Sequence, residues 1–217
     1  MKTDTEADAA RNRTWSFFSQ LLTVSQAKVR DHQERWRQLH RNNQQDTKAA
    51  KLVEQDIQRA TGLVHDIAAQ LFFASGAFDE KQQNDEKRLT LVQLVRFWKE
   101  AEPLFGALTR EPHPNTAHNV VQTLQHLLPC APREIFLLGA RSICASAAAG
   151  FHYEALAVGD VVKLIQRALA DHREIFQSIG NTESDCLEAL LKVLDLFVEA
   201  GWPEARRLTH RLEEIYR

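Results

Sequence analysis

Nine histidines and three cysteines give this 217-residue chain its widest chemical reach. His118 and His126 stand eight positions apart, so on a helix they share one face about two turns apart. At that separation they cannot hold one ion together without other groups, and His113 falls in a proline-rich stretch. Neither HExxH nor the ExxH pair of di-iron bundles occurs. The histidines therefore read as scattered polar or half-buried groups, and no metal ligand set is expected. Cys130, Cys144 and Cys186 are widely spaced, odd in number and without a CxxC. This spacing encodes neither a disulfide framework nor a zinc ribbon, and a reducing cytosol is the simplest home.

Nucleophilic and phosphate chemistry find equally little to stand on. Cys144 lies in "SICASAAAG", where small neighbours suggest close helix packing and cysteine behaves as a small hydrophobe. Residues 171–174, "DHRE", have the composition of a catalytic cluster. On a continuous helix, however, Asp171 and Glu174 would be surface charge at capping-box spacing. There is no Walker A loop and no GxSxG. The expectation is a non-enzymatic protein with no catalytic, cofactor-binding or metal-binding residues.

What remains is basic surface. Arg30, Arg37 and Arg41 share a helix face with Glu34, with Lys28 and Arg35 nearby. Such a stripe is either a solvated face or a track for a phosphate backbone. The formal net charge of −2 offers no general basic field. Exposed aromatics of the kind used to stack single-stranded bases are also lacking, because Trp15 and Trp36 belong to an apolar seam. Nucleic acid is thus the alternative partner rather than the first. Arg206 and Arg207 follow the corner in "EAGWPEARRL" (199–208) and are further candidates for meeting an acidic partner. In that corner Gly201 suits a left-handed helix exit and Pro203 a helix start, with Trp202 placed to seal the joint.

The elements that would carry these groups are helices. Trp15, Phe18, Leu22, Ser25, Val29, His32, Trp36 and Leu39 step by three and four, a heptad seam within residues 12–42. "NNQQDT" breaks the pattern, and Asp46 or Thr47 can cap the next helix. Val53, Ile57, Ala60, Val64, Ile67, Leu71 and Ala74 then repeat it until Ser75-Gly76, a natural left-handed cap. Two rods of about 42 Å, joined by a short polar loop, should fold back on each other. Residues 12–76 are therefore expected to form a long antiparallel hairpin, after a disordered or frayed segment 1–11.

Residues 77–217 read as a train of shorter helices packed as a bundle or as a short α-solenoid of helix pairs. "DEKQQNDEKR" (79–88) is expected as a solvated linker or frayed turn. The next helix is expected to end or kink at Pro103, and Asn115 or Thr116 to cap the one after it. Further helices are expected at about 116–128, 132–149, 160–178, 184–200 and 203–216. Pro132 should lie in a first turn, Gly150 at an exit, and Thr182 or Ser184 at a cap. Leu187, Leu190, Leu191, Leu194 and Phe197 should form one broad face. No segment alternates with period two for long enough to argue a strand. Together these give an all-α fold. The most apolar run, "IFLLGARSICASAAAGF", is broken by Arg141 and too short to span a bilayer. The N-terminus lacks the apolar core of a signal peptide. The protein is therefore expected in the cytoplasm, away from membranes.

Four strings also occur together in order: "LFFASGAF" (71–78), "GFHYEALA" (150–157), "LADHREIF" (169–176) and "EAGWPEARRL" (199–208). In this they resemble the helical C-terminal region of very large bacterial ATP-binding proteins of poorly defined role. The resemblance covers most of the chain from the second helix onward, through caps and packing faces, and carries over no catalytic residue. It implies a helical module cut from, or working beside, a larger ATP-binding machine, in a setting suspected of anti-phage defence. The ATP-binding part has no counterpart here. The expected function is a protein-interaction or scaffold module whose partner is another protein or that machine, with homo-oligomerisation open.

Overall fold

The computed structural model describes residues 2–82, 88–111, 113–150, 158–177 and 184–201, the side chains of 2–8 and 158 excepted. Among them are eight α-helices and no strand. The chain divides into two compact units between Gln70 and Leu71.

The first unit is the long antiparallel hairpin of α1 (Lys2–Arg41) and α2 (Lys48–Ala74). Its seam follows the heptad pattern: Leu22, Ser25 and Val29 are buried on α1, and Ala50, Val53, Ala60, Val64 and Ile67 on α2. Trp15, Phe18, His32, Trp36 and Leu39 are half-buried on the same stripe. The turn between the rods reverses at Asn43, whose φ of 53° is the left-handed conformation asparagine tolerates better than most residues. Thr47 rather than Asp46 supplies the cap. Its Oγ1 accepts from the Ala50 amide at 3.2 Å while donating to the Gln44 carbonyl at 2.8 Å. The helix of the first rod starts at Lys2, well before residue 12. Residues 2–11 hold three alanines and three acids, and both alanine and N-terminal negative charge favour the helical state.

The second unit begins with the last turn of α2. Gly76, at φ 80°, ends that helix and starts α3 (Ala77–Lys81), so the expected linker opens with a short helix. Thr90 and Gln93 close a full capping box ahead of α4 (Leu91–Leu108). Pro103 does not end α4, which runs five residues beyond it. Burial of Ala101, Leu104, Phe105 and Leu108 on either side of the proline holds the helix against the core. At α5 (Pro114–Leu127) the cap is His113, not Asn115 or Thr116. Pro114 prefers the first helical position, which moves the cap one residue upstream, and His113 Nδ1 accepts the Asn115 amide at 3.3 Å.

After α5 a 3-10 turn at Leu128–Cys130 leads to α6 (Pro132–Ala148), which exits at Gly150 with φ 80°. Next comes α7 (Val158–Asp171). It stops seven residues earlier than the periodicity predicts, at His172, and a 3-10 turn Arg173–Phe176 follows. The turn sends Phe176 inward, fully buried edge-on to Phe136 at 4.9 Å. Thus "DHRE" spans a helix break rather than a continuous surface. Ser184 caps α8 (Asp185–Glu199), and Gly201 closes it at φ 78°. Leu190, Leu194 and Phe197 point inward as expected, but Leu191 is 46% exposed and Cys186 and Val193 take the inner face. Residues 203–216 and the Trp202-Pro203 corner lie outside the described residues.

Each helix from α4 onward packs against its near neighbours in a two-layer pattern. α6 contacts α4 and α8, α5 contacts α7, and α5 packs across onto α4 and α6. This is how a short helical array buries a continuous core. α3 docks on α5, and that contact creates the site described next.

Candidate functional site

Ending a helix leaves carbonyls without intrahelical partners. At the end of α2, Ser75 resolves part of this locally, its Oγ donating to the Phe72 carbonyl at 2.9 Å and accepting from the Ala77 amide at 3.2 Å. The Ser75 carbonyl itself is met by His126 Nε2 of α5 at 3.0 Å. A carbonyl can only accept, so Nε2 carries the proton. The other ring nitrogen, Nδ1, faces the Glu80 carboxylate of α3.

Hydrogen bonding to His126 holds the Glu80 carboxyl below its ordinary value against the opposing effect of burial, with smaller help from the charges of His126, Arg167 and Arg88. An ionised carboxylate also only accepts. With Glu80 ionised, Nδ1 meets the carboxylate as a donor when the ring carries its second proton. The ring sits at the C-terminus of α2, where the helix dipole favours positive charge. The ring is 7% exposed, so one buried side chain ties three elements together. Arg88 approaches the other Glu80 oxygen at 3.8 Å.

A second acid faces α5 two turns earlier. Asp160 of α7 accepts from Gln122 Nε2 at 2.8 Å, while His118 Nδ1 lies at 3.4 Å and Lys163 Nζ at 3.8 Å. Arg167, one turn on from Lys163, donates to the Gln125 carbonyl at 3.1 Å. Between these groups lies a cavity of about 240 Å³, with Phe72 and Ala77 on its apolar side. Glu80, Lys81, Asp160, Lys163 and Arg167 supply its charge.

Comparisons with protein-family models, curated proteins and solved structures find no match.

His118 and His126 do share a face of α5, but each meets its own carboxylate. Among the described residues no three His, Cys, Asp or Glu side chains gather as an ion site. Glu80 escaped notice because it sits in a run of charge that reads as solvated linker. Its partner lies 46 positions away, and the sequence's one usable hint is the acid placed four residues after a glycine helix exit.

The cysteines are set apart from these groups. Burial pushes the Cys130 thiol up to about 11, and burial reinforced by Asp185 pushes Cys186 up to about 12. Burial also raises Cys144.

Of the interaction candidates, Arg30, Arg37 and Arg41 are all exposed, and Arg37 is tied to Glu34 at 3.3 Å. Arg206 and Arg207 lie outside the described residues. The hairpin also exposes large apolar groups that the seam pattern does not absorb: Phe17 at 60%, Val24 at 52% and Leu63 at 41%. Each directly precedes a seam residue, as Leu21 precedes Leu22. In two antiparallel helices the position before the seam falls on the same flank of the pair. Counting 1.5 Å per residue from the turn places Val24 and Leu63 at about the same level. Phe17, Leu21, Val24 and Leu63 thus form an apolar patch on one flank. Arg30 and Arg37 directly follow the seam residues Val29 and Trp36, which puts them on the opposite flank.

No helix among the described residues is long and apolar enough to cross a membrane.

Proposed function

We propose that this protein is a non-enzymatic helical interaction module that docks another helical protein segment on the apolar flank of its N-terminal hairpin. The observation that carries this reading is the grouping of Phe17, Leu21, Val24 and Leu63 on one side of the rods, clear of the seam. A two-helix hairpin buries only one stripe of each rod. Phe17, Val24 and Leu63 stay exposed beside the half-buried Leu21 once the hairpin has closed, and contiguous exposed apolar surface marks contact sites. The setting we propose is a larger bacterial assembly built around an ATP-binding machine, in the anti-phage role that the resemblance implies.

Charging the patch tests the docking. Burying a leucine fully contributes about 1.5–3 kcal/mol, so Leu63→Asp should weaken association at least about tenfold. Light scattering over a range of concentrations reads self-association, and titration with a co-purified partner reads the other case. Unchanged association in Phe17→Asp/Leu63→Asp, with the helical signal intact, overturns the reading.

A second reading rests on the opposite flank, where Arg30 and Arg37 stand exposed, with Arg41 exposed near the turn. If they track a nucleic-acid backbone, reversing all three to Glu abolishes binding and its salt dependence. A wild-type protein that shifts no DNA or RNA at low salt excludes it.

A further inference from the structure

The charges around the cavity between α3, α5 and α7 do not balance. Lys81, Lys163 and Arg167 face two carboxylates, Glu80 and Asp160, and the His126 ring lines the same space. Three cations against two anions leave an excess of positive charge. The acids are moreover engaged from within. Glu80 meets His126 Nδ1 and Arg88, and Asp160 meets Gln122, His118 and, more loosely, Lys163. Arg167 spends one Nη on the Gln125 carbonyl, and its charge favours the ionisation of Glu80. Lys81 and Lys163 are exposed at the rim on two different helices.

We propose that this cavity binds the phosphoryl group of a small molecule. Two ammonium groups and a guanidinium, Lys81 from α3 and Lys163 and Arg167 from α7, match a doubly charged tetrahedral oxyanion, and Arg and Lys are the side chains suited to holding one. The volume of about 240 Å³ exceeds what inorganic phosphate alone fills. Phe72 and Ala77 wall the remainder with carbon, and the Gln122 and Gln125 amides offer hydrogen bonds to a small polar body. Because Glu80 and His126 join α3 to α5 at the floor of the same cavity, a bound anion bridging Lys81 and Lys163 draws α3 toward α7 and stiffens this end of the unit.

The test uses the full chain, with inorganic phosphate and glycerol phosphate as separate probes in calorimetric titration and thermal melting at constant ionic strength. Saturable binding at about 1 mM or tighter is expected, with a rise in Tm that chloride does not reproduce. Tighter binding of glycerol phosphate identifies an organic phosphate as the occupant, and tighter binding of inorganic phosphate identifies the free ion. Lys81→Ala/Lys163→Ala removes only rim charge and should cost at least tenfold in affinity with the unliganded Tm little changed. Lys163→Arg should retain binding. Absence of saturable binding by either probe overturns the proposal, and so does undiminished binding by the double alanine variant. The hairpin reading stands or falls separately, since Leu63 and Phe17 have no part in this titration.

Discussion

Replacing His126 with alanine removes a buried ring that meets two acceptors at once. The Ser75 carbonyl, met by Nε2 at 3.0 Å, then stays buried without a partner, which costs about 1–3 kcal/mol. The charge-assisted bond to Glu80 is lost as well, about 1.5–3 kcal/mol when fully buried. Glu80 keeps roughly a third of its side-chain exposure and its neighbour Arg88, so the lower part of that range applies. The sum is about 3 kcal/mol, large beside a typical stability of about 5–15 kcal/mol.

Urea unfolding measures the total, and hydrogen exchange at α3 and α5 amides assigns it to this corner. A double-mutant cycle with Glu80→Gln should return a coupling of about 1–2 kcal/mol. The pH dependence has a fixed sign. The folded Glu80 carboxyl lies below its ordinary 4.5, so its contribution is fully present above that value and is lost as pH falls through the lower folded value. The stability gap between wild type and Glu80→Gln should therefore be present at about pH 5 and close in stronger acid. A total loss under about 1 kcal/mol, or a gap indifferent to acid, would refute the clamp between His126 and Glu80.

Other consequences are open to simple measurement. Gly76→Ala should destabilise by about 1–2 kcal/mol, because φ 80° disfavours a Cβ and the added carbon would sit 3.3 Å from Leu89; urea midpoints read it. Gly139→Val should cost about 1–3 kcal/mol by overpacking, since even a Cβ at that position would lie 2.5 Å from the buried Leu164 side chain where α6 meets α7. Arg133→Ala, which breaks the exposed fork onto Asp185, should cost no more than about 1 kcal/mol. Alkylation of the native protein near pH 8 should find Cys130 about a hundredfold poorer in thiolate than an ordinary thiol, its value rising from 9.0 to about 11. Labelling as fast as free cysteine would contradict that burial.

The sequence made the helices and the hairpin readable because their signals are local. A seam stepping from Leu22 to Ser25 to Val29, or a threonine ahead of Lys48, is complete within one or two turns. Errors came where several residues competed for one role. His113, Asn115 and Thr116 are all credible caps, and Pro114 decided among them. Leu191 and Val193 both fit an apolar face of α8, and the packing of α6 against α8 chose Val193. The site was illegible for a different reason. Glu80, His126 and Asp160 lie on three helices whose docking no spacing rule encodes, and a lone glutamate in a charged run carries no mark of the imidazole it meets. The basic flank was legible as a stripe, whereas the apolar flank opposite it emerged only once the seam was fixed.

The docking account is tested most directly by a photo-reactive amino acid placed singly at Leu63, Phe17, Arg30 or Arg37 and activated in living cells that carry the protein natively. The account predicts a discrete protein adduct, with a second copy or another chain, from positions 63 and 17 and none from 30 and 37. Adducts arising from the arginine flank alone, or none at all from the apolar flank, would contradict it.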